Sequence, residues 1–164
     1  MIEIVHAKAG FLSCRIVLET SERGVTRTGK LTDGSVREVR FVSRIAKNSR
    51  LSPYATFVTH ALTSWAEGDE RALDGIGVQY QGTEFQTDVL RALRNVEYGS
   101  TASYQDLAVL SGYPKAYGAC ASVCAKNRIP LILPCHRIIK SDGTLGNYYY
   151  GTDLKRKMLA IESG

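Results

Sequence analysis

Long hydrophobic runs are missing from this chain, and so is a secretory leader. A membrane-spanning helix needs about 20 consecutive apolar residues, and no stretch of the 164-residue sequence approaches that length. The first six residues, MIEIVH, lack the basic segment and the apolar segment of a signal peptide. We therefore expect a cytoplasmic protein without a membrane partner.

Cysteine is also scarce, because the sequence has only four: Cys14, Cys120, Cys124 and Cys135. A chain of this size without a leader is expected to keep its thiols reduced, which argues against a disulfide framework. A zinc site built from Cys120, Cys124, Cys135 and His136 is disfavoured. Adjacent Cys and His residues rarely bind one ion, and no Cys-x-x-Cys spacing is present.

Charge of either sign is not concentrated. The net charge is +5, with 11 basic and 9 acidic residues up to position 78 and 10 and 7 after it. This balance permits binding to nucleic acid without demanding it. If the protein binds DNA, its phosphate contacts should be few, and shape and hydrogen bonds must contribute.

The length fits one or two small domains, and we place a boundary after residue 78. Alternating apolar residues predict strands at 2–8 and 11–19. An Asp-Gly turn signal predicts a second hairpin made of strands 24–30 and 36–43. The region 1–78 is therefore expected to be a small β-sheet with one helix.

Capping residues mark where helices begin: Ser52 followed by proline, Thr83 and Ser103 in capping boxes, and Thr152 or Asp153. The helix after Ser103 and a further helix over 114–126 predict a helix-turn-helix. The second of these helices is rich in small residues and can approach another helix or another surface closely. A hairpin around 141–143 would form a wing. We predict an α+β protein whose region 79–164 is a mostly helical winged helix-turn-helix domain.

The most informative stretch is LPCHRII at 133–139, where Cys135 and His136 stand side by side among apolar residues. A thiol is a useful nucleophile only as the thiolate, which a nearby histidine or cation favours. A buried cysteine also behaves as a small hydrophobic residue. The pair alone therefore fits a reactive site and a structural core pair about equally.

Further motifs surround this pair in a fixed order. They are GTEFQ at 82–86, YGSTASY at 98–104, GYPKA at 112–116, Asn127, the PCHR segment, Gly146-Asn147-Tyr148, Gly151, Lys155 and Glu162. On these residues, about half of the chain resembles the O6-alkylguanine-DNA alkyltransferases, also called methylated-DNA–protein-cysteine methyltransferases.

The resemblance implies DNA repair by direct reversal. An alkyl group would move irreversibly from guanine O6, and more weakly from thymine O4, to Cys135 after the base is flipped out. The resemblance also implies a ribonuclease-H-like first domain and a monomer that meets double-stranded DNA containing O6-alkylguanine through the minor groove. In a prokaryote the protein would be nucleoid-associated. The enzyme would act once, as a methylated-DNA–[protein]-cysteine S-methyltransferase, and neither a metal nor another cofactor is implied.

Residue roles follow by the same resemblance. Cys135 is the nucleophile, His136 is its base through a bridging water, and Glu162 orients and charges the His136 ring. Tyr104 gives a proton to guanine N3 as the bond to O6 breaks, and Asn127 braces the turn ahead of the cysteine.

Substrate contacts are implied as well. The backbones of Cys135, Ile138 and Tyr149 would bind the flipped base, and the Tyr148 side chain would wall the pocket. The second helix of the helix-turn-helix, predicted over 114–126, would be the recognition helix and would enter the minor groove. Its contact residues would be Tyr117, Gly118, Ala119 and Ser122.

Two positions depart from the family pattern. The family usually has an arginine that fills the gap left by the flipped base, and this chain has Gly118 there. We favour Tyr117 as the wedge in its place. Beside the alkyl pocket the family tends to have small residues, whereas this chain has Tyr149 and Tyr150. We predict that Tyr150 narrows the pocket, so that methyl is preferred over bulky adducts.

Two competing functions are disfavoured. A non-enzymatic lesion-binding protein or a winged-helix regulator would need no reactive cysteine, and this chain has Cys135. A cysteine hydrolase would need Cys135 and His136 to face each other, whereas adjacent side chains tend to point apart.

Overall fold

The computed structural model describes residues 2–20, 34–42, 47–48 and 50–164. The chain divides into two compact units, Met1–Gln79 and Tyr80–Gly164. Within the described ranges, no helix is long and apolar enough to cross a membrane. A small antiparallel sheet combined with several helices confirms the predicted α+β class.

The first unit is built on a three-stranded antiparallel sheet in the order β1 (Ile2–Ala9), β2 (Leu12–Thr20) and β3 (Gly34–Phe41). Helix α1 (Pro53–Ala66) packs against β1, and Ser52 caps it as predicted. Apolar residues that alternate along the strands meet one face of the helix in a core. The largest fully buried side chains of this core are Ile16, Leu18, Leu62, Trp65 and Ile76.

The pairing of β3 corrects one prediction. β3 pairs with β2. The predicted strand at 24–30 lies outside the described residues, so its pairing with β3 stays a prediction. Gly34 and Ser35, expected in a turn, already pair with Thr20 and Glu19 of β2.

The second unit is mostly helical. Its elements are α2 (Glu84–Arg94), β4 (Ala102–Ser103), α3 (Tyr104–Leu110), α4 (Tyr117–Ala125), β5 (Ile138–Ile139) and α5 (Thr152–Glu162). The first three helices pack on one another, and both predicted capping boxes are present at Thr83 and Ser103. α3 and α4 form the predicted helix-turn-helix, joined through Gly112 at φ 86°.

Three local predictions were wrong in the second unit. α4 begins at Tyr117 rather than at residue 114, because 114–115 form a turn. The wing is a turn closed by the Lys140 N–H···O Thr144 bond of 2.9 Å, and β5 pairs in parallel with β4 instead of with 144–147. α5 starts after Gly151, a left-handed residue at φ 93°, without a side-chain cap.

Candidate active site

Cys135 stands in a buried segment, residues 129–138, that links α4 to β5. Leu131 takes a left-handed φ of 76°, a conformation that costs of order 1–3 kcal/mol for a non-glycine residue. The Leu133 N–H holds the turn by donating to the Ile129 carbonyl at 2.9 Å, and the Cys135 N–H donates to the Leu133 carbonyl at 2.8 Å. The backbone that carries the thiol is therefore fixed by its own segment.

Asn127 braces this segment, as predicted, and it also touches the thiol. Its Oδ1 accepts from the Ile129 N–H at 2.9 Å, and its Nδ2 donates to the Leu133 carbonyl at 2.8 Å. The same Nδ2 lies 3.2 Å from Cys135 Sγ. An amide donor at this distance stabilises the thiolate over the thiol. In the sequence, Asn127 lies eight residues before Cys135, and this spacing does not indicate a direct contact.

His136, Glu162 and Arg137 form a buried network. His136 Nε2 lies 2.8 Å from Glu162 Oε1, and Arg137 donates to both carboxylate oxygens at 2.8 and 2.9 Å. Arg137 also donates to the Val96 carbonyl at 2.6 Å. Because a carboxylate only accepts, Nε2 of neutral His136 carries the hydrogen, which leaves Nδ1 as the basic nitrogen. Arg137 is therefore an ion-pair partner of Glu162.

Burial and charge set the proton positions of this network. Burial favours the neutral acid, yet hydrogen bonds from His136 and Arg137 hold the pKa of Glu162 down to about 2. Burial lowers the pKa of His136, opposed by Glu162. Burial raises the pKa of the Cys135 thiol, opposed by hydrogen bonds from Asn127 and Tyr148 and by the charge of Lys155. At neutral pH the site therefore holds a thiol beside a neutral histidine, so a proton transfer must create the nucleophile.

A cavity of about 580 Å³ opens over the thiol. Its lining residues are Tyr104, Tyr117, Gly118, Ala121, Ser122, Cys124, Ala125, Cys135, Lys140, Asn147, Tyr148 and Tyr149. Burial, with the thiols of Cys124 and Cys135, raises the pKa of Tyr104 to about 12. The Tyr104 hydroxyl is therefore protonated at neutral pH and can act as a hydrogen donor into the cavity.

The structure brings most of the predicted binding residues to this cavity. Tyr117 and Tyr149, 54% and 77% exposed, are large side chains that reach solvent beside it. Ala119 is exposed on α4 but is not among the lining residues. Ile138 is buried outside the lining, and its carbonyl accepts from Lys155.

Tyr150 does not line the cavity either. Its ring packs against those of Tyr148, at 6.1 Å between centroids, and Tyr149, at 4.9 Å. Any influence of Tyr150 on the cavity therefore passes through these two neighbours.

Lys155 is the residue of this site whose role the sequence gave no means to assign. It is fully buried on α5, and its Nζ donates to the carbonyls of Ile138 and Leu145. A lysine in an amphipathic helix is ordinarily expected on the exposed face. The family motif includes this position, but the burial and the contacts of Lys155 are seen only in the three-dimensional arrangement. Among the described residues, no three His, Cys, Asp or Glu side chains are grouped as metal ligands.

Replacing Asn127 with alanine is expected to lower stability by about 2–4 kcal/mol, because a buried N–H and a buried carbonyl lose their partner. The pKa of the Cys135 thiol should also rise, because Sγ loses a hydrogen-bond donor. Urea unfolding and the pH dependence of Cys135 alkylation by iodoacetamide measure the two effects. Asn95→Ala, at an exposed position after α2, is the control. An Asn127→Ala protein as stable as this control would contradict the bracing role.

Comparisons with known proteins show which family and fold this chain resembles. Residues 84–164 match the family described as 6-O-methylguanine DNA methyltransferase, DNA binding domain. The methylated-DNA–protein-cysteine methyltransferase of Kluyveromyces lactis is 48% identical over 81 residues, which are 49% of this chain and 43% of that protein. The regulatory protein ada of Salmonella typhimurium is 42% identical over 165 residues, covering 99% of this chain and 46% of that protein. The chain thus spans less than half the length of both relatives.

A crystal structure of O6-methylguanine methyltransferase from Mycobacterium tuberculosis has the same fold. It matches with a TM-score of 0.73 at 24% identity, over 99% of this chain and 93% of that chain. The sequence match to the family runs through the buried segment and the last helix that carry Cys135, His136 and Glu162. The chain therefore belongs to the O6-alkylguanine-DNA alkyltransferase (methylated-DNA–protein-cysteine methyltransferase) family.

Proposed function

We propose that this protein repairs DNA by moving an alkyl group from O6 of guanine to Cys135, once per molecule. The observation that carries the proposal is the environment of the thiol. Cys135 lines an open cavity, Asn127 donates to its sulfur, and the next residue is a histidine held by a buried carboxylate. The cavity volume of about 580 Å³ lies within the range of about 300–1,000 Å³ typical of small-molecule sites.

The transfer would be a substitution at the alkyl carbon. The His136 imidazole receives the proton of the Cys135 thiol through water, and Glu162 balances the charge that the ring gains. The thiolate attacks the alkyl carbon, a carbon–sulfur bond forms, and the bond from that carbon to guanine O6 breaks. The electron pair of the broken bond stays with guanine, and Tyr104 supplies a proton to the base as this happens. The thioether on Cys135 is stable, so the protein is consumed.

DNA would be the partner, met through its minor groove by α4. The cavity side of α4 includes four small residues, which allow close approach of a flipped nucleotide: Gly118, Ala121, Ser122 and Ala125. In this proposal Tyr117, exposed at the start of α4, stacks in the gap that the flipped base leaves. Stacking of a base on an aromatic ring contributes about 1–3 kcal/mol.

Tyr117→Ala should therefore slow transfer from duplex DNA about tenfold or more, while transfer from single-stranded DNA changes little. Gly118→Arg should raise affinity for duplex DNA, because it adds a positive charge that can meet a phosphate. The position has room, since a Cβ added at Gly118 meets no atom within 4 Å. Single-turnover rates on duplex and single-stranded oligonucleotides measure both effects. Equal loss on the two substrates for Tyr117→Ala would assign Tyr117 to the pocket instead of to the duplex.

Adduct size provides a second prediction. Tyr150 packs on the two tyrosines that line the cavity, and in this proposal it restrains their movement. Transfer from O6-methylguanine should therefore be faster than transfer from O6-benzylguanine. Rates with the two adducts in the same oligonucleotide measure the preference, and faster benzyl transfer would contradict it.

The proposal is tested by counting repaired lesions. Excess duplex containing O6-methylguanine is mixed with a known amount of protein, and the remaining lesion is measured by chromatography of the digested DNA. One lesion should be lost per protein molecule, and none with Cys135→Ser. Loss that continues beyond one per molecule would indicate a turning-over enzyme, and binding without loss would indicate a lesion-binding protein.

A further inference from the structure

Lys155 is a buried cation that the proposed chemistry does not use. Its side chain has no exposed surface, and a charge in that position is strongly disfavoured unless other groups compensate. The compensating groups are the carbonyls of Ile138 and Leu145 and the face of the Tyr148 ring, whose centroid lies 5.9 Å from Nζ. These partners are dipoles and a π-system, which leave the positive charge of the ammonium group in place.

The Lys155 ammonium group and the Cys135 thiol share neighbouring residues. Lys155 Nζ donates to the carbonyl of Ile138, three residues after Cys135. It also lies over the ring of Tyr148, which lines the cavity with Cys135. Burial lowers the pKa of Lys155, and a negative charge on Cys135 or Cys124 opposes this shift. The charge of Lys155 in turn favours the thiolate of Cys135. A fixed charge that is prearranged for a developing anion stabilises that anion without reorganisation.

We propose that Lys155 is a positioning residue of this site, which fixes the cavity wall through two carbonyls and supplies the positive charge that balances the Cys135 thiolate. The inference rests on the proposed function in taking Cys135 as the nucleophile. Its test does not require DNA, because the thiolate can be observed with a small alkylating reagent. Failure of the charge role is therefore distinguishable from failure of alkyl transfer.

Other groups around the thiol also influence its protonation. They are Tyr104 from α3, Cys124 from α4, Tyr148 from the segment before α5, and the His136–Glu162–Arg137 network. The tyrosines and Cys124 are neutral at neutral pH, because burial raises the pKa of each. Arg137 is paired with Glu162 at 2.8 Å. Lys140 also lines the cavity but is exposed to solvent, whereas Lys155 is fully buried. Lys155 is thus the buried cation whose removal changes the charge facing the thiol most directly.

Three substitutions separate charge from packing. Lys155→Met removes the charge and keeps the length, Lys155→Gln removes the charge and keeps a hydrogen donor, and Lys155→Arg keeps the charge. Lys157→Met, at an exposed position of the same helix, is the matched control. For each protein, the rate of Cys135 carboxamidomethylation by iodoacetamide is followed by peptide mass spectrometry from pH 6 to pH 10, together with the melting temperature.

Loss of the Lys155 charge should shift the pH profile of Cys135 modification to higher pH by about one pH unit. The reason is that a nearby cation lowers the pKa of a thiol. The methyl-transfer rate at pH 7 should fall about tenfold in parallel. Lys155→Arg should restore most of the profile, and Lys157→Met should leave it unchanged. If Lys155→Met does not fold, the comparison of Lys155→Gln with Lys155→Arg decides the question. Lower melting temperatures with an unshifted profile in the uncharged variants would overturn the proposal and leave Lys155 a structural residue.

Discussion

Replacing Glu162 with glutamine should slow methyl transfer by on the order of 100-fold or more and lower stability by about 3–5 kcal/mol. The glutamine keeps the shape of the side chain but cannot balance the charge that His136 gains when it accepts the thiol proton. It also leaves Arg137 buried without the carboxylate that it contacts at 2.8 and 2.9 Å. Single-turnover transfer rates and urea unfolding measure the two losses.

The pH dependence of stability provides an independent check on Glu162. Its pKa is held at about 2 in the folded protein, below the value of about 4.3 for an unfolded glutamate. The ionised carboxylate therefore contributes about 3 kcal/mol at neutral pH. This contribution should be lost as pH falls from about 4.3 towards 2. Glu162→Gln should lack that part of the acid transition, and Glu97→Gln, at an exposed position, should keep it. An acid transition that is the same in Glu162→Gln and wild type would contradict the assignment.

Replacing Tyr104 with phenylalanine should slow transfer by about 100- to 10,000-fold while DNA binding and stability change little. The ring keeps its packing at the start of α3, but the cavity loses the hydroxyl that is held protonated by a pKa of about 12. The leaving guanine would then have to depart without a proton from the protein. Single-turnover rates and binding to a lesion duplex by anisotropy separate the two effects.

Tyr113→Phe is the matched control for Tyr104→Phe. The Tyr113 hydroxyl donates to Asp88 at 3.0 Å, and Tyr113 is not among the cavity residues. This substitution should leave the transfer rate unchanged. A Tyr104→Phe rate within threefold of wild type would exclude Tyr104 as the proton donor.

The chemistry of the site could be predicted largely from local sequence. The family motif fixes both residue type and order, so it points to the proposed nucleophile in Pro-Cys-His-Arg, to the upstream Asn127 and to the terminal Glu162. Helix starts at Thr83 and Ser103 were predictable because a capping box is formed within four residues. These are features whose physical cause is contained in a short stretch of chain.

The remaining features depend on contacts between distant residues. The Asn127 bond to Cys135 Sγ requires the left-handed turn at Leu131, which no local pattern announces. The burial of Lys155 depends on carbonyls 10 and 17 residues earlier. The wing is closed by a turn bond between Lys140 and Thr144. β5 pairs in parallel with β4, and turn signals cannot predict this long-range pairing. Tyr150 was expected at the pocket because it neighbours Tyr149, but its ring packs sideways on the two lining tyrosines.

The most direct test of the central claim is the mass of the intact protein after it is mixed with an oligonucleotide containing O6-methylguanine. We expect one added methyl group per wild-type molecule, mapped to the peptide that contains Cys135, and no addition to Cys135→Ala. The addition should saturate at one even with excess lesion. A methyl group on Cys120 or Cys124 with Cys135 unmodified, or specific binding to the lesion without any added mass, would contradict the claim that Cys135 is the acceptor.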